Sequence, residues 1–187
     1  MVQTANQILS SLTVLGQIII LVLVISFLFR ENKIVGFFSK KAIPFSFVVA
    51  LIATLGSLFY SEIAGYEPCK LCWFQRIFMY PQVILLGITL WKKNGILVIY
   101  NSISLSVIGA VIAGYHYLLQ IGLVPELSCA AVGYSVACSQ RFVMNFGYIT
   151  IPMMAFTAFA MIITFLLIKK RAWLNRVLYN KKMKNEH

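Results

Sequence analysis

The stretch EPCKLCWFQRIFMYP, residues 67–81, sets two thiols and a guanidinium within eight positions of one another. Cys69, Cys72 and Arg76 stand at offsets 0, 3 and 7, which fall on one face of a helix. A Cys-x-x-Cys disulfide closes a very small loop and restrains little chain entropy. It makes a poor staple and a good redox centre, because two thiols held close convert readily between dithiol and disulfide. Pro68 suits the start of a helix. A helix beginning near Cys69 puts both thiols in its first turn, where the positive end of the dipole favours thiolate. Arg76 then lies one turn deeper than Cys72 on the same side. A guanidinium there is costly without a partner. It can stabilise a Cys72 thiolate or hydrogen-bond a polar ligand at the bilayer edge. The plainer role is to snorkel to the headgroups.

The other two cysteines, Cys129 and Cys138, share the stretch CAAVGYSVAC. Zinc sites also use Cys-x-x-Cys. With eight residues between its cysteines, the second pair is no second short knuckle, and no metal is expected. His116 stands between Tyr115 and Tyr117 near the end of an apolar run, a placement that suits either a satisfied polar residue or a functional one.

The elements that must position these groups are membrane helices. The chain of 187 residues is 60% hydrophobic, 11% charged and free of Asp. A soluble domain carries about 25% charged residues. Five runs approach or exceed the roughly 20 apolar residues a spanning helix needs: about 8–29, 43–61, 73–91, 95–120 and 147–168. No period-two alternation favours barrel strands. The first run lacks a basic n-region, and its core exceeds the roughly 7–15 residues of a signal peptide, so a retained helix is expected. Ser102, Ser106, Ala110 and Gly114 recur every four residues in the fourth run, a stripe suited to close helix contact. Pro81 should kink the third.

The net charge of +11 invites a nucleic-acid reading, but the basic residues cluster between apolar runs. Thirteen of the 16 follow the first, third and fifth runs, leaving Lys70, Arg76 and Arg141 on the other side. Basic loops face the cytoplasm. The N-terminus and the segments 62–72 and 121–146, which hold all four cysteines, are therefore expected outside, with the C-terminus inside. Disulfides persist on that outer side. The basic tail after residue 168 reads as a stop-transfer flank.

These residues resemble the DsbB-type disulfide bond formation proteins, including the BdbC branch. The resemblance rests on PCKLCWFQRIFMYP, on YHYLLQIG followed by a loop with two cysteines, and on FGYITIPMMAF opening the last run. It covers about residues 44–168. It implies an all-α membrane protein with a four-helix transmembrane bundle over 43–168; the extra N-terminal transmembrane helix and basic loop over 1–42 depart from that pattern, and a basic tail covers 169–187. It implies a protein-dithiol:quinone oxidoreductase of the bacterial cytoplasmic membrane. Such a protein reoxidises a DsbA-like thioredoxin-fold oxidase and passes the electrons to ubiquinone or menaquinone. By motif, Cys69 and Cys72 are similar to the pair beside the quinone, with Cys72 the thiolate that meets the ring. Arg76 and His116 are similar to quinone-side residues. Cys129 and Cys138 are similar to the loop pair that exchanges with the partner, Cys129 being attacked first. The extra first helix is expected only to add a span.

Two other readings compete. Vitamin K epoxide reductase-type proteins couple thiols to a quinone, but carry their loop cysteines before the Cys-x-x-Cys. A non-enzymatic membrane subunit stapled by disulfides would need neither Cys69 nor Cys72.

Overall fold

The structure, a computed structural model, describes residues 2–28, 32–91, 96–125 and 138–185. Five helices follow in order: α1 (Val2–Leu28), α2 (Asn32–Leu58), α3 (Lys70–Trp91), α4 (Ile96–Gln120) and α5 (Ile151–Asn185). All five are long and apolar enough to cross a membrane. Among the described residues the only β pairing is a single bridge, Asn145 to Ile149. The protein is all-α, as the hydropathy pattern requires.

α2, α3, α4 and α5 form a closed ring in which each packs on the next and α5 returns to α2. α1 stands outside this ring and packs on α5 and α2. At the centre, the fully buried Phe159 of α5 lies against Gly109 of α4, where any Cβ would collide with its ring.

The buried positions of α3 are Gln75, Met79, Gln82, Leu86 and Thr89, and those of α4 include Ser102, Ser106, Gly109, Ala113 and His116. Both follow a four-three alternation, not a strict step of four. A step of four overshoots the 3.6-residue turn and drifts round the helix, whereas four-three spacing holds one face. The expected stripe is therefore half right. Ser102 and Ser106 are buried, but Ala110 and Gly114 sit beside the core face that Gly109 and Ala113 occupy. In that interface Ser106 Oγ donates to Gln82 Oε1 at 3.0 Å, one of the few polar links between these helices.

Several boundaries differ from the hydropathy reading, and α1 and α3 begin earlier than their apolar runs, at Val2 and Lys70. α2 begins before Lys40 and Lys41, which lie exposed on the helix and not in a loop. Helix formation is a backbone matter and can run past the apolar segment into water. α5 begins at Ile151 instead of 147, because Phe146 and Gly147 take positive φ values of 53° and 77° in the turn closed by the Asn145–Ile149 bridge. It then continues for 35 residues, about 52 Å at 1.5 Å per residue, well beyond the roughly 30 Å hydrocarbon core. The expected basic tail is thus largely helical. Its first turn beyond the bundle packs Lys170 over the Tyr100 ring and Arg171 over the Phe27 ring.

Candidate functional site: a dithiol beside an apolar cavity

α2 ends in a π-helical turn, Phe59–Ile63. The chain turns at Gly65, whose φ of 68° is the left-handed conformation glycine tolerates best. It then runs through Pro68 into α3. The amide of Trp73 donates to the Cys69 carbonyl at 3.1 Å, so Cys69 opens the helix and Cys72 lies in its first turn.

Both cysteines are thiols, and the Cys69 Sγ donates to the Cys72 Sγ at 3.4 Å. Cys69 is buried in a small apolar cluster with Leu119 and Cys138, flanked by Leu71, Cys72 and Tyr115. The shared hydrogen bond and burial push the Cys69 thiol up to about 12, only partly offset by His116. Cys69 therefore holds its proton tightly.

His116 is completely buried. Its Nε2 donates to the Cys138 carbonyl at 3.0 Å, since a carbonyl can only accept, and the same nitrogen lies 3.7 Å from the Cys69 Sγ. In a neutral ring Nδ1 must then accept, and Gln75 Nε2 meets it at 2.9 Å. Gln75 thereby sets the tautomer of His116, as a hydrogen bond to one ring nitrogen does for the other. Gln75 is a site residue that the motif reading passed over. Its signal was present, because 72, 75, 79 and 82 continue the buried four-three face.

On the other side of Cys72 opens a cavity of about 260 Å³. Cys72, Gln75, Arg76, Met79 and Tyr80 of α3 form one wall, and Cys69 and His116 are not among its lining. The stacked rings of Tyr60, Tyr66 and Phe142 lie at its margin and tie the two inter-helix segments together. Arg76 is half-buried. Its Nε donates to Ser57 Oγ at 2.9 Å and its Nη2 to the Ser57 carbonyl at 3.0 Å, while its guanidinium carbon lies 5.2 Å from the Trp73 ring centroid. These partners are all neutral. Arg76 is held across to α2, not extended outward.

The sequence-derived residues therefore separate into two groups that meet at Cys72. Cys69, Cys72, His116 and Cys138 line one small cleft, whereas Cys72 and Arg76 line the large cavity. Cys129 lies outside the described residues. The donor atoms of Cys69, Cys72 and His116 lie within 4.8 Å of one another. A structural zinc site takes four such ligands, and both His116 nitrogens already have protein partners. The arrangement suits thiol exchange better than metal retention.

Fold and site together define a multi-pass helical membrane protein with a dithiol beside an apolar cavity, the layout of a membrane thiol oxidoreductase. Comparison with known proteins is specific. The chain belongs to the DsbB family, whose model, described as "Disulfide bond formation protein DsbB", matches residues 39–169. It is 44% identical over 144 residues to "Probable disulfide formation protein C 1" of Bacillus anthracis, covering 76% of this chain and 99% of that protein. It is 43% identical over 141 residues to "Disulfide bond formation protein C" of Bacillus subtilis, covering 75% and 96%. A "Probable disulfide formation protein" of Metapseudomonas resinovorans is 41% identical over 128 residues, covering 67% and 87%. No solved structure matches. Membership of this family assigns the chain to disulfide bond formation.

Proposed function

We propose that this protein reoxidises a DsbA-like thioredoxin-fold oxidase on the outer face of a bacterial cytoplasmic membrane and delivers the electrons to a membrane quinone. The observation that carries the reading is the position of Cys72, which touches Cys69 on one side and the Arg76 cavity on the other.

The cavity fits such an acceptor. Its volume is slightly below the roughly 300–1,000 Å³ of small-molecule sites, which suits a ring and the first part of a tail, with the remainder in lipid. Its α3 wall carries a guanidinium and an amide with hydrogens to donate and the Tyr80 phenol, whose hydroxyl donates to Ser57 Oγ at 3.4 Å, and the rest is largely aliphatic. Bound there, a quinone would supply the two-electron acceptor that a dithiol needs to become a disulfide.

The chain's own residues carry the exchanges. A thiolate of the reduced partner attacks the Cys129–Cys138 disulfide at Cys129, and the partner's second thiol closes its own disulfide. The loop is left with two thiols. One of these attacks the Cys69–Cys72 disulfide, restoring the loop disulfide and leaving Cys69 and Cys72 as a dithiol. His116 holds the Cys138 backbone beside Cys69, and its Nε2–H, 3.7 Å from the Cys69 sulfur, sits where it can stabilise negative charge there. Cys72 gives up the electron pair towards the cavity as its bond to Cys69 re-forms, and two protons leave with it. Arg76, fixed by Ser57, places positive charge where negative charge develops.

The proposed orientation is supported by the packing of Lys170 and Arg171 against residues at the end of α1 and the start of α4, the end remote from Cys69. Basic flanks face the cytoplasm. The test is oxidation of a reduced thioredoxin-fold oxidase by purified protein, with partner thiols and quinone absorbance followed together. One quinone should be consumed per partner disulfide formed. Partner oxidation that proceeds unchanged without quinone would overturn the reading.

A further inference from the structure

α1 lies outside the matched stretch 39–169. A relative matched over 99% of its own length leaves no unmatched segment long enough for a further 27-residue helix. A helix that only added a span would need no particular relation to the site. Instead, α1 forms a wall of the cavity beside Cys72 and Arg76, through Leu9, Leu12, Thr13, Leu15, Gly16 and Ile19.

The register of α1 is fixed by polar contacts. Asn145 Nδ2 donates to the Asn6 carbonyl at 3.1 Å and to Ser10 Oγ at 2.8 Å. Gln17 Nε2 donates to Thr157 Oγ1 at 3.3 Å, and Gln17 Oε1 accepts from the Tyr148 hydroxyl at 2.9 Å. In lipid, apolar faces slide past one another at little cost, so such pairs decide which residues meet. The space arises because α2 presents Ala53 and Gly56 to it, and α5 presents Ala155 and Ala158. The resulting cavity is two-sided. α3 brings the thiol, the amide, the guanidinium and the phenol, whereas α1 brings aliphatic side chains and one hydroxyl that is bonded to its own helix.

We propose that α1 is part of the acceptor site: it closes the cavity beside Cys72 and Arg76 and supplies the aliphatic track for the prenyl tail of a quinone. This rests on the quinone reading above and deepens it. A polar ring belongs against α3 and an isoprenoid chain against α1, so α1 sets the preference for tailed over tail-less quinones. An ordinary lipid has no planar acceptor group to meet Arg76 and Cys72.

The test is equilibrium binding to the whole 187-residue chain in detergent, read by tryptophan quenching in a Trp91→Phe, Trp173→Phe background that leaves Trp73, which adjoins Arg76. A multi-isoprene menaquinone and menadione, which has the ring without a tail, serve as ligands. Thr13→Phe fills the cavity from the α1 side, and Leu12→Phe does so from its half-exposed rim if the first variant is not recovered folded. The folded variant should bind menaquinone about tenfold more weakly, while menadione changes by less than about threefold. Arg76→Leu should weaken both. Unchanged menaquinone affinity in a folded α1 variant, with the Arg76→Leu loss intact, would overturn the role of α1 and leave the quinone reading standing. Failure of native protein to bind either quinone would overturn both. Photolabelling of Leu12 or Thr13 by an acyl-chain lipid that menaquinone does not compete away would overturn it in favour of a lipid-filled cavity.

Discussion

The two sides of Cys72 are built on opposite principles. Towards Cys69 the protein is tightly packed and hydrogen-bonded: Gln75 holds His116, His116 holds the Cys138 carbonyl, and Cys69 donates to Cys72. Towards Arg76 it is roomy and largely aliphatic, with the Arg76 charge anchored to Ser57 and Glu67 also in the lining. Proton position and loop placement must be held within tenths of an ångström for thiol exchange. A diffusing lipid-phase acceptor needs room and a fixed charge. Among the described cysteines Cys72 alone lines both, and the division of labour between Cys69 and Cys72 follows from that.

The sharpest way to break the comparison is to remove the shared residue. Cys72→Ala should lower quinone-dependent turnover by roughly a thousandfold or more, as loss of a reacting nucleophile does. Exchange of the Cys129–Cys138 pair with the partner should survive, as a trapped mixed disulfide on a gel would show. Normal turnover in Cys72→Ala would sink the relay.

Next in size is the difference between the two thiols themselves. Cys69 is raised from a usual value near 9 to about 12, chiefly by its hydrogen bond to Cys72 and then by burial. Below both values its thiolate fraction is about a thousandfold lower than that of an ordinary thiol. The greater nucleophilicity of a more basic thiolate recovers part of this. In reduced protein at pH 8, alkylation of Cys69 should be on the order of fiftyfold slower than that of a free thiol, and should speed up with each pH unit up to about 12. Mass spectrometry after timed alkylation reads this directly, and Cys69 labelling that levels off near pH 9 would contradict it.

On the cavity side, Arg76→Lys keeps the charge but loses the planar fork that reaches both Ser57 oxygens. Apparent quinone affinity should fall about tenfold, or roughly 1.4 kcal/mol, and further in Arg76→Leu. A mere interface anchor would accept Lys with no change in quinone KM.

The smallest effect is expected on the packed side. Gln75→Leu removes the donor to His116 Nδ1 without touching the cavity's charge or the thiols. Turnover should drop a few-fold, below the roughly 10–100-fold that loss of a histidine-orienting partner costs at metal sites, with the pH profile displaced. Gln75→Glu offers only oxygens when ionised, so Nδ1 must carry a hydrogen to meet it, and the profile should move further. An unmoved profile in both variants would make Gln75 a packing residue.

Much of this site could be read without coordinates. Offsets of 0, 3 and 7 place Cys69, Cys72 and Arg76 on one helical face, and Pro68 marks where that helix starts. Gln75 was passed over because a lone glutamine carries no motif; its importance lies in meeting His116, 41 residues away. The stripe in α4 was read at a step of four, and only the packed partner shows that Gly109 and Ala113 carry the contact. The start of α5 was misplaced because an apolar run gives no sign that Phe146 and Gly147 adopt a left-handed turn. The first helix, read as a mere span, proved to wall the cavity.

Composition and order alone determined five apolar helices, the pairing of a Cys-x-x-Cys with a deeper arginine, and membership of a disulfide-forming family. These depend on hydropathy and helical period, which are local properties of a chain. Which way each helix turns about its axis is not local, because an apolar helix can present any face to lipid at nearly equal cost. Only the tertiary structure decided that Cys69 faces His116, that Cys72 also faces the cavity, and that α1 closes it. Packing of small residues and a few buried hydrogen bonds, Asn145 to Ser10 and Arg76 to Ser57 among them, select that one set of rotations.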